Sequence, residues 1–295
     1  MMEIHTIDRN GKSMVVLLDD NMQLVKPVCE FLKFQYTKGR TLNTLTAYAT
    51  DLKIFWCFLQ KNGLKYDEIS PNMIIGFIEY LRKGDESEKI IAFHKESVRT
   101  NTTINRILSS VHSFYRYHAA MSDVDSPIIM QEVNRPFNMF KSLLQHVRSN
   151  NKVKQSIFKV KESAHNVRLV TDDEMDVVLN ALDKQRDRLL YKLLYLTGAR
   201  IQEALDLEIE SVPVPDMSKS IAVFEGIKSK GKYRDLYVPM PLVQELDNFI
   251  MTERTFAGDD NGYIFVDEDN RFLGKQLTYS AAYDKLKSIC EQTCK

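Results

Sequence analysis

The chain has 295 residues, 44% of them hydrophobic and 27% charged, and its forty lysines and arginines are balanced by forty aspartates and glutamates. That composition excludes a disordered or fibrous chain, no run of about eighteen apolar residues marks a membrane span, and residues 1–11 lack the apolar stretch of a secretory signal, so two globular cores in the cytoplasm are expected. Cys29, Cys57, Cys290 and Cys294 are too few and scattered for a disulfide framework, and no histidine lies beyond His165 to complete a zinc site with Cys290 and Cys294.

Residues 1–25 read as a short strand or arm, with Met14, Val15, Val16, Leu17 and Leu18 closed by Asp19, Asp20 and Asn21. From Pro27 the helical period takes over: Leu45, Tyr48, Ala49, Leu52, Phe55, Trp56 and Leu59 fall on one face, and Asn62-Gly63 ends the run. Ser70 and Pro71 supply an N-cap and a first-turn proline for a helix with Ile74, Ile75, Phe77, Ile78 and Leu81 as buried candidates. Residues 84–96 are polar and read as a loop. A longer helix follows, with Ile104, Leu108, Val111, Tyr115 and His118 at core spacing. Thr100, Asn101, Thr102, Asn105 and Arg106 lie near its exposed start, where such groups either contact phosphates or cap and solvate the helix.

Charge is unevenly spread. Between Arg135 and Arg168 stand Arg135, Lys141, Arg148, Lys152, Lys154, Lys159, Lys161 and Arg168 against Glu162 alone, so eight minus one leaves plus seven there and minus seven elsewhere. This stretch reads as a basic connector, either a solvated linker or a place where the chain crosses a DNA backbone. Thr171, Asp172, Asp173 and Glu174 have the capping-box pattern, followed by Met175, Val178, Leu179 and Leu182. A further apolar helix stops at Thr197-Gly198, where glycine can take the left-handed conformation. Arg200, with Glu203 at i+3, then opens a second amphipathic helix; a cation held at a helix start is a place to hold phosphate. Residues 220–227 and 232–238 are β-rich and separated by Lys228, Ser229, Lys230 and Gly231, which reads as a hairpin with lysines at its tip. Pro239 and Pro241 start another helix to about Phe256, Tyr263 to Val266 reads as a further strand, and Leu277 to Cys290 as a last helix.

Four of these pieces together carry a resemblance. Thr44-x3-Tyr48-x2-Asp51-Leu52-x2-Phe55, Ile104-Asn105-Arg106-x-Leu108, Leu196-Thr197-Gly198-Ala199-Arg200-x2-Glu203-Ala204-x2-Leu207 and the hairpin from Lys228 to Pro239 resemble, in that order, the tyrosine recombinases, the phage-type integrases and transposases of mobile elements. The resemblance implies a mainly α fold with a small antiparallel β-sheet: an N-terminal arm over 1–25, a helical core-binding domain over 26–150, a basic linker over 151–168, and an incomplete α+β catalytic domain over 169–295. It implies attack of a tyrosine on a DNA phosphodiester, giving a phosphotyrosyl link and a free 5′ hydroxyl. Arg200 then clamps the phosphate, Glu203 supports it, and Lys230 protonates the leaving oxygen, with Lys228 as the alternative. Thr44, Thr102, Asn105, Arg106, Lys152, Lys154, Lys159, Lys161 and Lys228 become candidate DNA contacts. The expected partners are double-stranded DNA and further copies of the chain, as a tetramer on synapsed DNA; no metal or other cofactor is implied.

The sequence also departs from the family. A His-x-x-Arg-His type box and then the tyrosine nucleophile should follow, yet no histidine comes after His165, Arg254 and Arg271 sit in no such box, and Tyr279 and Tyr283 precede its expected place. The expectation is a chain that ends before its active site is complete and binds DNA without cutting it. The competing readings are a non-catalytic DNA-binding regulator derived from a recombinase and a helical protein-interaction module.

Overall fold

Val15 and Leu17 alternate along a strand and are both buried, so the apolar run near the N-terminus is a core element. The computed structural model describes residues 2–9, 12–83, 98–122, 124–134, 152–162, 168–229, 231–257, 262–268 and 273–293. It is mainly helical with small antiparallel sheets, and it divides into two units, Met1–His165 and Asn166–Lys295. Among the described residues no helix is long and apolar enough to cross a membrane.

In the first unit, β1 (Glu3–Arg9) and β2 (Lys12–Leu18) form an antiparallel hairpin. Met2, Val15 and Leu17 join one core with residues of α1 (Lys26–Thr37), α2 (Leu42–Lys61), α3 (Pro71–Lys83) and α4 (Asn101–Met121). An arm over 1–25 is therefore not what forms, because the alternating apolar residues of β2 need the helices to cover them. Leu45, Ala49, Leu52, Phe55 and Leu59 of α2 and Ile104, Leu108, Val111, Tyr115 and His118 of α4 are buried as their spacing requires. Ile75 of α3 is an exception at 50% exposed: Ile74, Phe77 and Leu81 already fill the inward face, and Ile75 falls outside it. The polar stretch 84–96 lies outside the described residues.

The basic segment also differs from expectation. Met130–Asn134 (β3) pairs antiparallel with Lys152–Ser156 (β4), and Phe158 and Val160 pack against the first core. Asn105 fastens this return: its amide nitrogen donates to the Val160 carbonyl at 2.8 Å and to Glu162 at 2.6 Å, and its amide oxygen accepts the Val160 N–H at 2.9 Å. Asn101 donates to the Lys161 carbonyl at 2.8 Å. Residues 152–162 are thus part of the first unit and not a free linker, because two apolar side chains and the backbone bonds of Asn105 give them somewhere to dock.

In the second unit, α5 (Asp172–Asn180) begins with the full capping box between Thr171 and Glu174. Helix α6 (Gln185–Thr197) ends at Gly198, whose φ of 62° is left-handed. Helix α7 (Ile201–Leu205) follows, then strands β5 (Ile221–Ser229) and β6 (Lys232–Pro239), α8 (Met240–Phe249) and α9 (Tyr279–Thr293). Leu189, Leu190 and Leu193 of α6, Phe224 of β5, Leu236 and Val238 of β6 and the inward face of α8 share one core. Tyr263 to Val266 does not form a strand. Tyr263 and Val266 make single bridges to Glu208 and Gln276, while Ile264 and Phe265 are buried, so this apolar run fills the core without extending a ladder. Arg254 is buried, and its Nε donates to the Tyr263 carbonyl at 2.8 Å, which gives it a structural place under that segment.

Candidate active site

Helix α7 is a single turn of five residues, shorter than the amphipathic helix the sequence suggests, and so contributes little dipole at Arg200. One of the N–H groups at its start is already bonded, since the Arg200 backbone N–H donates to Glu203 Oε2 at 2.9 Å. An anion site here therefore depends on guanidinium groups more than on a helix terminus.

Two such groups meet at Glu203. Arg200, the N-cap of α7, donates through Nη1 to Glu203 Oε1 at 2.7 Å and to Ser229 Oγ at 2.6 Å. Arg234, on β6, ion-pairs through Nη2 with Glu203 Oε2 and reaches the Gly198 carbonyl at 3.4 Å. The Glu203 side chain is 3% exposed, against 53% for Arg200 and 38% for Arg234, so the carboxylate is the buried hub and both cations face outward. Burial alone would push the Glu203 carboxyl up. The hydrogen bonds from Ser229, the Arg200 backbone, Arg234 and the Arg200 side chain outweigh it and bring the pKa down to about 2. Two positive charges on one negative leave the cluster at plus one, ready for a further anion.

Gly198 makes this arrangement possible. Its left-handed backbone turns the chain from α6 to α7 within three residues and aims its own carbonyl at Arg234. The hairpin brings the other side: Ser229 and Arg234 flank the turn between β5 and β6, and Lys228 and Lys232 are exposed beside them. Lys230 lies outside the described residues. Neither Arg234 nor Ser229 stands out in the sequence. Arg234 lies thirty-one residues from Glu203, and only the strand register of the hairpin brings it there.

Among the other candidates in the first unit, some side chains are exposed and others are held by their neighbours. Arg106 is 52% exposed and donates through Nη1 at 2.7 Å to Asp51, whose side chain is 1% exposed. Ser110 donates to the same oxygen, Oδ2, at 2.7 Å, and Oδ1 is buried with no partner among the described residues. Burial raises the Asp51 pKa above its usual value against the opposing effects of Ser110 and Arg106. Thr44, half-buried, bonds Thr41 at 3.0 Å at the start of α2 and lines a groove of about 270 Å³ with Asp51 and Arg106. Thr102, Lys154, Lys159, Lys161 and Lys228 are exposed, whereas the side chain of Lys152 is not described. Asn105 differs from expectation, because its amide is engaged by residues 160–162 and is not free to face a phosphate. Tyr279 and Tyr283 are each 51% exposed on α9, with ring centroids 6.0 Å apart and planes 14° from parallel.

Comparison with known proteins places both units. Residues 30–121 match the phage integrase N-terminal SAM-like domain and residues 168–294 match the phage integrase family. Transposase A from transposon Tn554 of Staphylococcus aureus is 26% identical over 299 residues, covering 99% of this chain and 82% of the transposase. Tyrosine recombinase XerC of Leptospira interrogans is 24% identical over 259 residues, 87% of this chain and 69% of the recombinase. A lambda integrase tetramer bound to a Holliday junction matches the fold with a TM-score of 0.57 at 14% identity, over 90% of this chain and 65% of that one.

Proposed function

The chain belongs to the phage integrase family of tyrosine recombinases, which carry out site-specific DNA recombination and integration, and from that premise we propose which of its residues do the work. Residues 26–162 hold duplex DNA, with Arg106, Thr44 and the exposed lysines of 154–161 on its backbone. Residues 169–295 belong to the catalytic domain, in which Arg200 clamps the scissile phosphate. Lys230, or Lys228 beside it, protonates the leaving 5′ oxygen. Further copies assemble on synapsed DNA as a tetramer.

The observation that carries this reading is the Glu203 hub. A phosphoryl group under attack gains negative charge, and donors already fixed at that place stabilise the transition state without reorganising; removing one costs on the order of 10²–10³ in rate. Glu203 fixes Arg200 in advance and leaves the rest of its guanidinium for an anion. Arg234 ties the same carboxylate to β6, the strand that pairs with Lys228 of β5 in the hairpin.

The test is covalent capture on a nicked suicide substrate carrying a candidate element end. Protein expressed from the full reading frame is expected to form a protein–DNA adduct that Arg200→Ala abolishes while most of the DNA affinity remains. Unaffected adduct formation by Arg200→Ala would remove Arg200 from the site.

A further inference from the structure

Strand β5 breaks the alternation of a regular strand. Ala222 and Phe224 face the core, but the next inward residues are Ile227 and Ser229, so Glu225 and Gly226 both stand outside between Phe224 and Ile227. The pairing shows the same slip: Phe224 lies opposite Leu236 and Ile227 opposite Arg234, which leaves Asp235 to oppose both extra positions. This is a β-bulge, with one residue more on β5 than on β6. Gly226 adopts a left-handed φ of 67° in it, and its N–H donates to Asp235 Oδ1 at 3.0 Å.

The bulge decides which side chain reaches the Glu203 hub. Simple alternation from Phe224 would carry Gly226 and Lys228 inward and put Ser229 on the outer face, since a one-residue slip exchanges the faces of everything beyond it. With the slip absorbed at Gly226, Lys228 and its strand partner Tyr233 stand exposed, and Ser229 is 9% exposed. Its Oγ accepts from Arg200 Nη1 at 2.6 Å, and its hydroxyl donates to Glu203, holding that carboxyl below its usual range. A hydroxyl both accepts and donates, so it serves the cation and the carboxylate together, which an apolar side chain or an ammonium could not do. Arg200 Nη1 thus has two acceptors on different elements, Glu203 in α7 and Ser229 on β5. One acceptor is a hinge about which the guanidinium can swing; a second on another element fixes its direction.

We propose that Ser229 is a positioning residue for the phosphate clamp, keyed onto Arg200 and Glu203 by the bulge at Gly226, so that Arg200 presents its remaining N–H groups to the scissile phosphate in one direction. The role rests on the reading of Arg200 above as the clamp.

The experiment uses protein from the full reading frame on the nicked suicide substrate, with the adduct-forming rate measured at saturating DNA and the affinity measured separately by fluorescence anisotropy. Ser229→Ala is expected to lower the rate by about 10- to 100-fold, the scale of a misplaced donor, and to leave affinity within about twofold. Ser229→Thr returns the hydroxyl and is expected to recover most of that loss. Gly226→Val opposes the left-handed bulge and is expected to behave like Ser229→Ala. Deleting residue 226 instead removes the extra position, leaves Ser229 inward, and is expected to retain more activity than Gly226→Val does. A hairpin important only for its fold would tolerate the substitution better than the deletion. Thermal midpoints identify any variant that has lost its fold, and the comparison of Ser229→Thr with Ser229→Ala stands even where Gly226→Val does not fold. An unchanged rate in Ser229→Ala, while Arg200→Ala abolishes the adduct, overturns the role and leaves the clamp standing. Equal loss in Ser229→Ala and Ser229→Thr also overturns it, because the hydroxyl is then not what matters. If Arg200→Ala leaves the adduct intact, or the wild type forms none, the clamp reading fails and this role goes with it.

Discussion

Glu203 and Arg234, thirty-one residues apart and on different elements, form an ion pair whose carboxylate is simultaneously the partner of Arg200. Removing the shared group therefore harms both cations, whereas removing either cation leaves the other paired. Glu203→Ala is expected to destabilise by about 1–3 kcal/mol, because it removes the shared hydrogen-bond acceptor while both guanidiniums keep access to water, and Arg234→Ala and Arg200→Ala by less. Urea denaturation of the three variants measures this. Equal, additive losses would mean the three side chains do not act as one network.

The same hub sets an acid limit. Glu203 has a folded pKa of about 2, below the ordinary carboxylate value of 4.5, so the folded state binds that proton less readily than the unfolded one. Its stabilisation is fully present above the unfolded value and is lost as pH falls from about 4.5 towards about 2. Thermal unfolding of wild type and Glu203→Gln across that window should show the gap between them closing as the solution becomes more acidic. A gap constant down to the lowest pH would place the pKa elsewhere.

Asp51 is buried beneath Arg106 and holds its guanidinium through an ion pair, so under the proposed reading its effect on DNA is indirect. Asp51→Ala is expected to cost about 1–3 kcal/mol by stranding the Ser110 hydroxyl and the Arg106 guanidinium. In a salt series it should also weaken DNA binding, though less than Arg106→Ala does. If Asp51→Ala weakens binding more than Arg106→Ala at equal stability, the roles of the two are reversed.

Where the first unit ends can be tested with fragments. Residues 1–165 are expected to unfold cooperatively by themselves, and a fragment ending at residue 150 is expected to lose roughly 2–5 kcal/mol. That fragment lacks β4, the partly buried Phe158 and Val160, and the backbone partners of Asn105. Equal midpoints in chemical denaturation would return residues 152–162 to the status of a linker.

This fragment pair also shows where sequence reading reaches its limit. Local signals were legible: the Thr171 and Glu174 capping box, the glycines at 63 and 198 that end helices, and the hairpin between Ser220 and Pro239 all depend on neighbours a few residues away. Arg200 and Glu203, three apart, were readable for the same reason. Arg234 with Glu203 and Arg106 with Asp51 were not, because strand register and helix packing bring those partners together. Lys154, Lys159 and Lys161 hid the docking of their own segment: a basic run reads as solvated when only two of its residues, Phe158 and Val160, do the packing. Tyr263 to Val266 misled in the opposite direction, since a short apolar run is equally suited to a strand and to a buried irregular segment.

Gly198 presents a last consequence. A Cβ built on it would meet nothing within 4 Å, yet its φ is +62°. A Cβ therefore has room there while few residues have the backbone for it, so a saturation library at this codon should rank residues by dihedral preference before size. Asparagine should follow glycine, while valine and isoleucine fall last despite the empty space around them. Intolerance at an exposed, uncrowded position would mimic the signature of a ligand contact, although the side chain touches nothing; the constraint belongs to the turn that presents Arg200.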